Sequence, residues 1–260
     1  MSFIQTKFDN GIFTITLNRP EKYNSFTESM AIDFQKALEE ASSDDIRCVV
    51  LNANGKAFCA GQDLPEVVER GKDKQYDLAD TVLTSYNPII RAIRNLKKPV
   101  VCAVQGTAAG AGANIAFSCD ITIASKNAVF VQAFSKIGLI PDSGGTWFLP
   151  RIVGLAKTNT LYLLDEKLPA DEAERLSLIY KAVEHDQLHE EVSQIAEKLA
   201  TMPTKGFGLY KQAINQTFEN DLDQQLTLEA SLQSEAGKTN DYKEGINAFL
   251  EKRDPEFKGS

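Results

Sequence analysis

Apolar residues recur along this chain in two rhythms, and the change from one to the other marks its organisation. Over residues 3–8 and 11–17 they alternate with polar ones, around Asp9-Asn10-Gly11. Alternation is the strand period, and an Asn-Gly pair accepts the positive φ of a tight turn, so the pattern predicts a β-hairpin. Asn18-Arg19-Pro20 ends it. Helical spacing follows over 28–41, with Met30, Phe34, Ala37 and Leu38 on one face and Thr27 placed to cap the first turn. Short apolar runs at 47–51, 100–104, 120–124 and 128–131 read as buried strands. Residues 77–96 read as one long amphipathic helix, bent at Pro88 and stopped at Lys98-Pro99. Residues 106–117 read as a glycine turn feeding a helix of small residues.

After about Pro150 the helical period dominates, over 155–164, 170–176, 188–200, 205–219, 221–236 and 241–252, with one strand near 179–183. Strands separated by helices predict an α/β fold whose strands are largely covered. No Pro/Ser-rich linker and no fixed-period repeat interrupts the chain. The expected division is a core over residues 1–195 with a helical C-terminal region over 196–260 packed on it.

Composition narrows the function classes. A chain of 260 residues, 43% hydrophobic, can bury a large core without disulfides or metal. A formal net charge of −8 argues against nucleic acid as a partner, because phosphate binding draws on clustered Lys and Arg. A small anionic ligand stays possible, since it needs only a local basic group or a helix N-terminus. The opening Met1-Ser2-Phe3-Ile4-Gln5-Thr6 lacks a signal-peptide pattern, and no apolar run has membrane-span length. Cys48, Cys59, Cys102 and Cys119 stand singly among apolar residues, which predicts a reduced, cytoplasmic protein with buried thiols.

Three segments carry candidate chemistry. In Phe58-Cys59-Ala60-Gly61-Gln62-Asp63-Leu64, small residues let a ligand approach backbone N–H groups that can face a carbonyl oxygen; a strand-to-helix turn capped by Asp63 fits equally. In residues 105–114, a glycine-rich turn opens a helix after a strand and offers free N–H groups at its positive end. Its G-x-x-x-G-x-G spacing differs from the dinucleotide fingerprint, and no acid ends a strand about 20 residues on. In residues 138–146, Asp142 is a carboxylate in an apolar, glycine-rich turn, where burial raises the pKa and suits it to moving a proton. Capping a helix that opens at Ser143 is the structural alternative for Asp142, and it would lower the pKa instead.

Two other readings fail. Asp142-Ser143-Gly144-Gly145 looks like the nucleophile loop of a serine protease, but His185 and His189 follow the serine on a charged stretch. Those histidines are spaced i, i+4, yet no third metal ligand has matching spacing, so no metal site is expected.

Taken together, residues 16–20 (Thr-Leu-Asn-Arg-Pro) with Asn24, the stretch 58–64 and Pro141-Asp142-Ser143-Gly144-Gly145-Thr146 resemble the enoyl-CoA hydratase/isomerase (crotonase) superfamily in order and spacing. The resemblance spans essentially the whole chain. It implies a spiral of ββα units and a C-terminal helical region serving oligomerisation and cover of the active site. It implies a homotrimer or dimer of trimers acting on an acyl-CoA, with no cofactor beyond the coenzyme A of the substrate. It further implies that the N–H groups of Ala60 and Ala111 bind the thioester oxygen. Lys22, Asn24, Ala60, Gly61, Gln62, Asp63 and Leu64, with Gly110, Ala111 and Phe134, are the implied substrate-binding positions; Lys22 reads equally as a solvated lysine.

The hydratases of that family carry two glutamates whose positions here are Asn114 and Phe134, so simple addition of water is not expected. Asp142 falls where several isomerases carry their acting aspartate. Residues 130–142 and 241–253 are most similar to the family's isomerases of aryl ring epoxides. The implied reaction is a proton shift next to a thioester carbonyl, with straight-chain Δ3-Δ2-enoyl-CoA isomerisation as the alternative. Aryl-CoA dehalogenation, with Asp142 as nucleophile, and non-catalytic acyl-CoA binding are the more distant readings.

Overall fold

The computed structural model describes residues 2–260; Met1, where the segment read as leaderless begins, lies outside them. Strands β1 (Ile4–Asp9) and β2 (Ile12–Leu17) form the expected hairpin, with Ile4 opposite Leu17 and Asp9 opposite Ile12. Helix α1 (Glu28–Glu40) follows, and Thr27 Oγ1 accepts the Met30 N–H at 3.2 Å as its cap.

Three turns of a spiral come next, each made of two strands and a helical segment. The first holds β3 (Cys48–Ala53) and β4 (Ala57–Cys59), then α2 (Leu64–Arg70), α3 (Leu78–Thr81) and α4 (Asn87–Asn95). The second holds β5 (Val100–Val104), β6 (Thr107–Ala109) and α5 (Ala111–Ser118). The third holds β7 (Ile121–Ser125), β8 (Val129–Val131) and α6 (Gly145–Leu163). Strand β9 (Leu168–Pro169), α7 (Ala170–Arg175) and β10 (Lys181–Val183) close the core, and α8 (Leu188–Thr201), α9 (Thr204–Gln216), α10 (Leu222–Ala236) and α11 (Asn240–Glu251) complete the chain.

The first strand of each turn joins one sheet, in the order β1-β2-β3-β5-β7-β10 and parallel from β2 onward. The second strands form another, in the order β4-β6-β8-β9. Both faces of the larger sheet's central strands β3, β5 and β7 are covered, as parallel strands require, while the antiparallel edge strand β1 is largely exposed. Ile15, Leu51, Cys102 and Val104 face the main core with Phe34, Phe58, Ile93 and Phe130, while Val50, Val101 and Ile123 face Val192 and Ala196 of α8.

The structure revises several predicted elements. Strands β4 and β6 replace what read as plain turns, because three residues are too few to display a period. The helix expected over 77–96 is two helices joined by a wide π turn at Val82–Tyr86, ahead of Pro88. Helix α6 begins ten residues before the predicted 155, and its backbone breaks at Gly154 (φ 74°), so only the second half carried a continuous pattern. The division expected at 195/196 falls inside α8, whose Val192, Ile195, Ala196 and Leu199 all pack on the sheet.

Helix α9 is tied to the core by a charge cluster in which Lys211 is buried and Asp120 and Arg94 are partly exposed. Lys211 Nζ donates to Asp120 Oδ2 at 2.6 Å, and Arg94 lies 3.6 Å from the other oxygen of Asp120. Arg94 also donates to Asn215 of α9 through Nε at 3.1 Å. Burial holds the Lys211 pKa below its usual range even though Asp120 opposes that shift. Removing one partner of such a pair strands the other charge. Asp120→Ala is expected to cost about 3 kcal/mol in urea unfolding. Lys211→Met should cost less, because Asp120 keeps Arg94 and the Val100 N–H.

Candidate active site

The site forms where the turn after β4 meets the first turn of α5. Gly61 reverses the chain with φ +85°, a conformation that favours glycine, and a side chain there would sit 3.0 Å from the Ala109 carbonyl oxygen. Gly112 lies so close to Cys59 that a Cβ would stand 2.5 Å from the Cys59 oxygen. These contacts bring two backbone stretches side by side. At Ala111, the first residue of α5, the N–H has no helical acceptor, and among the described residues it donates to nothing.

The partner N–H is not that of Ala60. Ala60 donates its N–H to the Tyr23 carbonyl at 2.9 Å, so the expected oxyanion donor is already engaged. Phe26 bridges the flanking groups, donating to the Gly61 oxygen at 2.7 Å and accepting from the Asp63 N–H at 2.9 Å. Between them, the Gln62 N–H donates to nothing among the described residues. Gln62 and Ala111 thus each offer an unpaired donor, one from each of the two apposed stretches, in a largely apolar cavity where aimed N–H groups act strongly on developing negative charge.

Both donors border a cavity of ≈ 180 Å³. Ala60, Gly61, Gln62, Leu64, Gly110, Ala111, Phe134 and Asp142, all expected at the site, line it. The segment 64–86, on which the shape of an acyl pocket depends, supplies a further wall of Val67, Leu78, Thr81, Val82 and Tyr86, none of which the sequence singles out, and Gln132 was missed altogether. That wall is built from the segment between β4 and β5, whose helical spacing predicts a buried face without saying what the face covers.

Asp142 is the sole carboxylate among the described residues that line this cavity. It does not cap a helix. Helix α6 opens at Gly145 behind Gly144, with no side-chain cap. The carboxylate takes one hydrogen bond, from Ser143 Oγ to Oδ1 at 2.9 Å. Burial pushes the Asp142 pKa above the usual carboxylate range, and the Ser143 bond only partly opposes the shift. The backbone of this turn is held separately. Asn114 is fully buried; its Nδ2 donates to the Asp142 carbonyl oxygen at 2.9 Å, and its Oδ1 accepts from Gln132 Nε2 at 3.1 Å.

Three expected binding residues stand elsewhere. Asn24 is completely buried, with Oδ1 accepting the Arg19 N–H and Nδ2 donating to the Asn54 and Ala57 carbonyls, so its side chain braces the loop. Asp63 caps α2 through the Glu66 N–H at 2.9 Å and pairs with Arg19 at 2.6 Å. Burial raises its pKa, but the Glu66 N–H and the Arg19 guanidinium prevail and hold it below the ordinary range. Lys22 is exposed on the turn Pro20–Lys22 and does not line the cavity. Among the described residues no cluster of three or more His, Cys, Asp or Glu side chains could hold a metal ion.

Comparison with known proteins places this geometry in context. A family model described as enoyl-CoA hydratase/isomerase matches residues 7–260. A 1,2-epoxyphenylacetyl-CoA isomerase of Escherichia coli K12 is 47% identical over 260 residues, covering 100% of this chain and 99% of its own. A trans-2-decenoyl-(acyl-carrier-protein) isomerase of Streptococcus mutans is 35% identical over 252 residues, 96% of each chain. The crystal structure of an enoyl-CoA hydratase/isomerase from Cupriavidus metallidurans superposes with a TM-score of 0.92 at 32% identity, covering 100% of this chain and 97% of its own.

Because Asp142 ionises less readily in the folded chain than in the unfolded one, its charge lowers stability at neutral pH. Asp142→Asn is expected to unfold at a higher temperature than the parent at neutral pH. The gap should close as pH falls through the raised pKa and vanish below about 3.9, the unperturbed value. Thermal denaturation across that range measures it.

Proposed function

The chain belongs to the enoyl-CoA hydratase/isomerase family, and on that premise we propose that it is an isomerase that shifts a proton within an acyl-CoA thioester. Its proposed substrate is ring-1,2-epoxyphenylacetyl-CoA and its product the seven-membered oxepin-CoA. The observation that carries this reading is Asp142, one carboxylate with a raised pKa on a cavity that also holds two unpaired N–H groups. The identity with an Escherichia coli 1,2-epoxyphenylacetyl-CoA isomerase supports the substrate.

In the proposed step the thioester oxygen accepts hydrogen bonds from the Gln62 and Ala111 N–H groups. Asp142 removes the proton from the carbon next to the thioester carbonyl. The electron pair of that C–H bond moves toward the carbonyl, and the two donors stabilise the enolate oxygen, each by about 3–4 kcal/mol in comparable sites. Asp142, now protonated, returns the same proton to a conjugated ring carbon as the epoxide-bearing ring expands. No atom is gained or lost, so one acid–base group suffices and neither water nor a cofactor beyond the CoA of the substrate is consumed. Phe134 and Gly110 supply a flat apolar wall suited to an aryl ring, with the Phe134 ring edge 3.7 Å from where a Gly110 side chain would stand.

A second reading, straight-chain Δ3-Δ2-enoyl-CoA isomerisation, uses the same residues and is favoured by the decenoyl-thioester isomerase relative. The proposal extends to assembly as a homotrimer or dimer of trimers in the cytoplasm. Apolar Phe249, Leu250 and Tyr242 exposed on α11 support burial against further copies of the chain. Lys22 is the proposed contact for a CoA phosphate.

Asp142→Asn should lower kcat by about 10²- to 10⁴-fold, the usual worth of a positioned general base. Turnover within a few-fold of the parent would overturn the assignment, and parallel assays on the ring epoxide and on 3-enoyl-CoA rank the two substrates. Ser143→Ala removes the one hydrogen bond that lowers the Asp142 pKa. Since Asp142 acts in its ionised form, the acidic limb of the pH–rate profile should move to higher pH in that variant.

A further inference from the structure

Gln62 contributes its backbone N–H to the cavity, while its side-chain amide is bound on three sides to other parts of the fold. Oε1 accepts the Tyr86 hydroxyl at 2.5 Å, and Nε2 donates to the Phe26 carbonyl at 3.2 Å and to Glu66 Oε2 at 3.4 Å. Glu66 in turn accepts the Glu28 N–H that opens α1, at 3.0 Å. Tyr86 is 2% exposed, and its ring stands edge-on to Phe26 with centroids 6.1 Å apart. Among the described residues its hydroxyl has no partner except Gln62. Tyr86 is also the last residue of the π turn Val82–Tyr86, an uncommon geometry that recurs at functional sites.

These observations converge on one role. The Gln62 N–H shares its peptide plane with the Gly61 carbonyl, which the Phe26 N–H holds at 2.7 Å, and an anchored Gln62 side chain fixes the Cα end of that plane as well. The Tyr86–Gln62 bond supplies that anchor from across the cavity. Burial pushes the Tyr86 pKa well above its usual range, and the charge of Asp142 adds to the shift, so the phenol stays a neutral donor throughout the working pH range. We propose that Tyr86 is a positioning residue for the oxyanion site, fixing the direction of the Gln62 N–H through the Gln62 side chain. The inference rests on the reading of the Gln62 and Ala111 N–H groups as the donors to the thioester oxygen.

Two substitutions isolate the link. Tyr86→Phe removes only the hydroxyl, and Gln62→Ala removes the anchored amide while keeping the N–H itself. Each should lower kcat by about 10- to 100-fold, the cost of misplacing a donor, with KM changed by less than about threefold. The double variant should be no slower than the slower single, because both break one connection. A second readout is independent of turnover: the absorption of bound 4-dimethylaminocinnamoyl-CoA, which moves to the red when its thioester carbonyl is polarised. Parent protein should produce the red shift and both variants should lose most of it. Unchanged kcat with a full red shift in Tyr86→Phe, a loss carried by KM, or losses that multiply in the double variant would each overturn the inference. A parent that turns over no acyl-CoA would instead sink the isomerase reading, while the absorption shift still tests the anchor. Should Tyr86→Phe fail to fold, Gln62→Ala reports on the same bond.

Discussion

The site depends on how closely two stretches of backbone approach one another. Gly61 and Gly112 let the turn after β4 lie against the first turn of α5, with no room for a side chain at Gly112 and, at Gly61, a positive φ and a tight contact that disfavour one. Only at that separation do the Gln62 and Ala111 N–H groups border one cavity. The spiral makes the approach possible. Each turn sends its second strand into the smaller sheet, so β4 and β6 run side by side and the segments that follow them emerge together. Backbone donors set in this way need no rearrangement as charge develops, which is where their strength comes from.

Charge is distributed at the cavity with equal economy. The lining has an apolar wall, a neutral phenol and a single carboxylate. The carboxylate is held by one hydroxyl and not by a cation, so burial governs its proton affinity. Asp63, by contrast, is paired with a guanidinium and a helix N–H, which hold its pKa below the ordinary range, and serves as a structural brace. Two aspartates, one in the first turn of the spiral and one in the third, thus acquire opposite characters from their partners.

Much of this was legible in the sequence where a period or a residue type carries the information. The hairpin, α1, the long buried strands and the helical C-terminal region all follow from spacing, and Asp142 stands out because a carboxylate is conspicuous in an apolar turn. What escaped has a physical reason in each case. Three-residue strands have no measurable period. The donor assignment slipped from Gln62 to Ala60 because the direction of an N–H depends on the positive φ at Gly61, which side-chain chemistry does not encode. Asn24 and Asp63 belong to the right segments, but polar residues near a ligand site serve the loop as readily as the ligand. The π turn leaves no signature in hydrophobic spacing, so the cavity wall it builds was visible only as helix.

Asn114 carries a consequence for how such sites change over time. Its amide reaches the Asp142 carbonyl on one side and Gln132 on the other, and a Cβ at Gly145 would fall 2.5 Å from its nitrogen. The resemblance noted above puts a water-handling glutamate of the hydratases at this same position. A glutamate here has no N–H to give the Asp142 carbonyl, and its negative charge would meet a pocket shaped for a neutral amide. Conversion between the two chemistries therefore cannot proceed by one replacement at position 114. The second glutamate of the hydratases falls at Phe134, so that position is involved too, and Asn114 cannot change without releasing both the Asp142 carbonyl and the Gln132 amide.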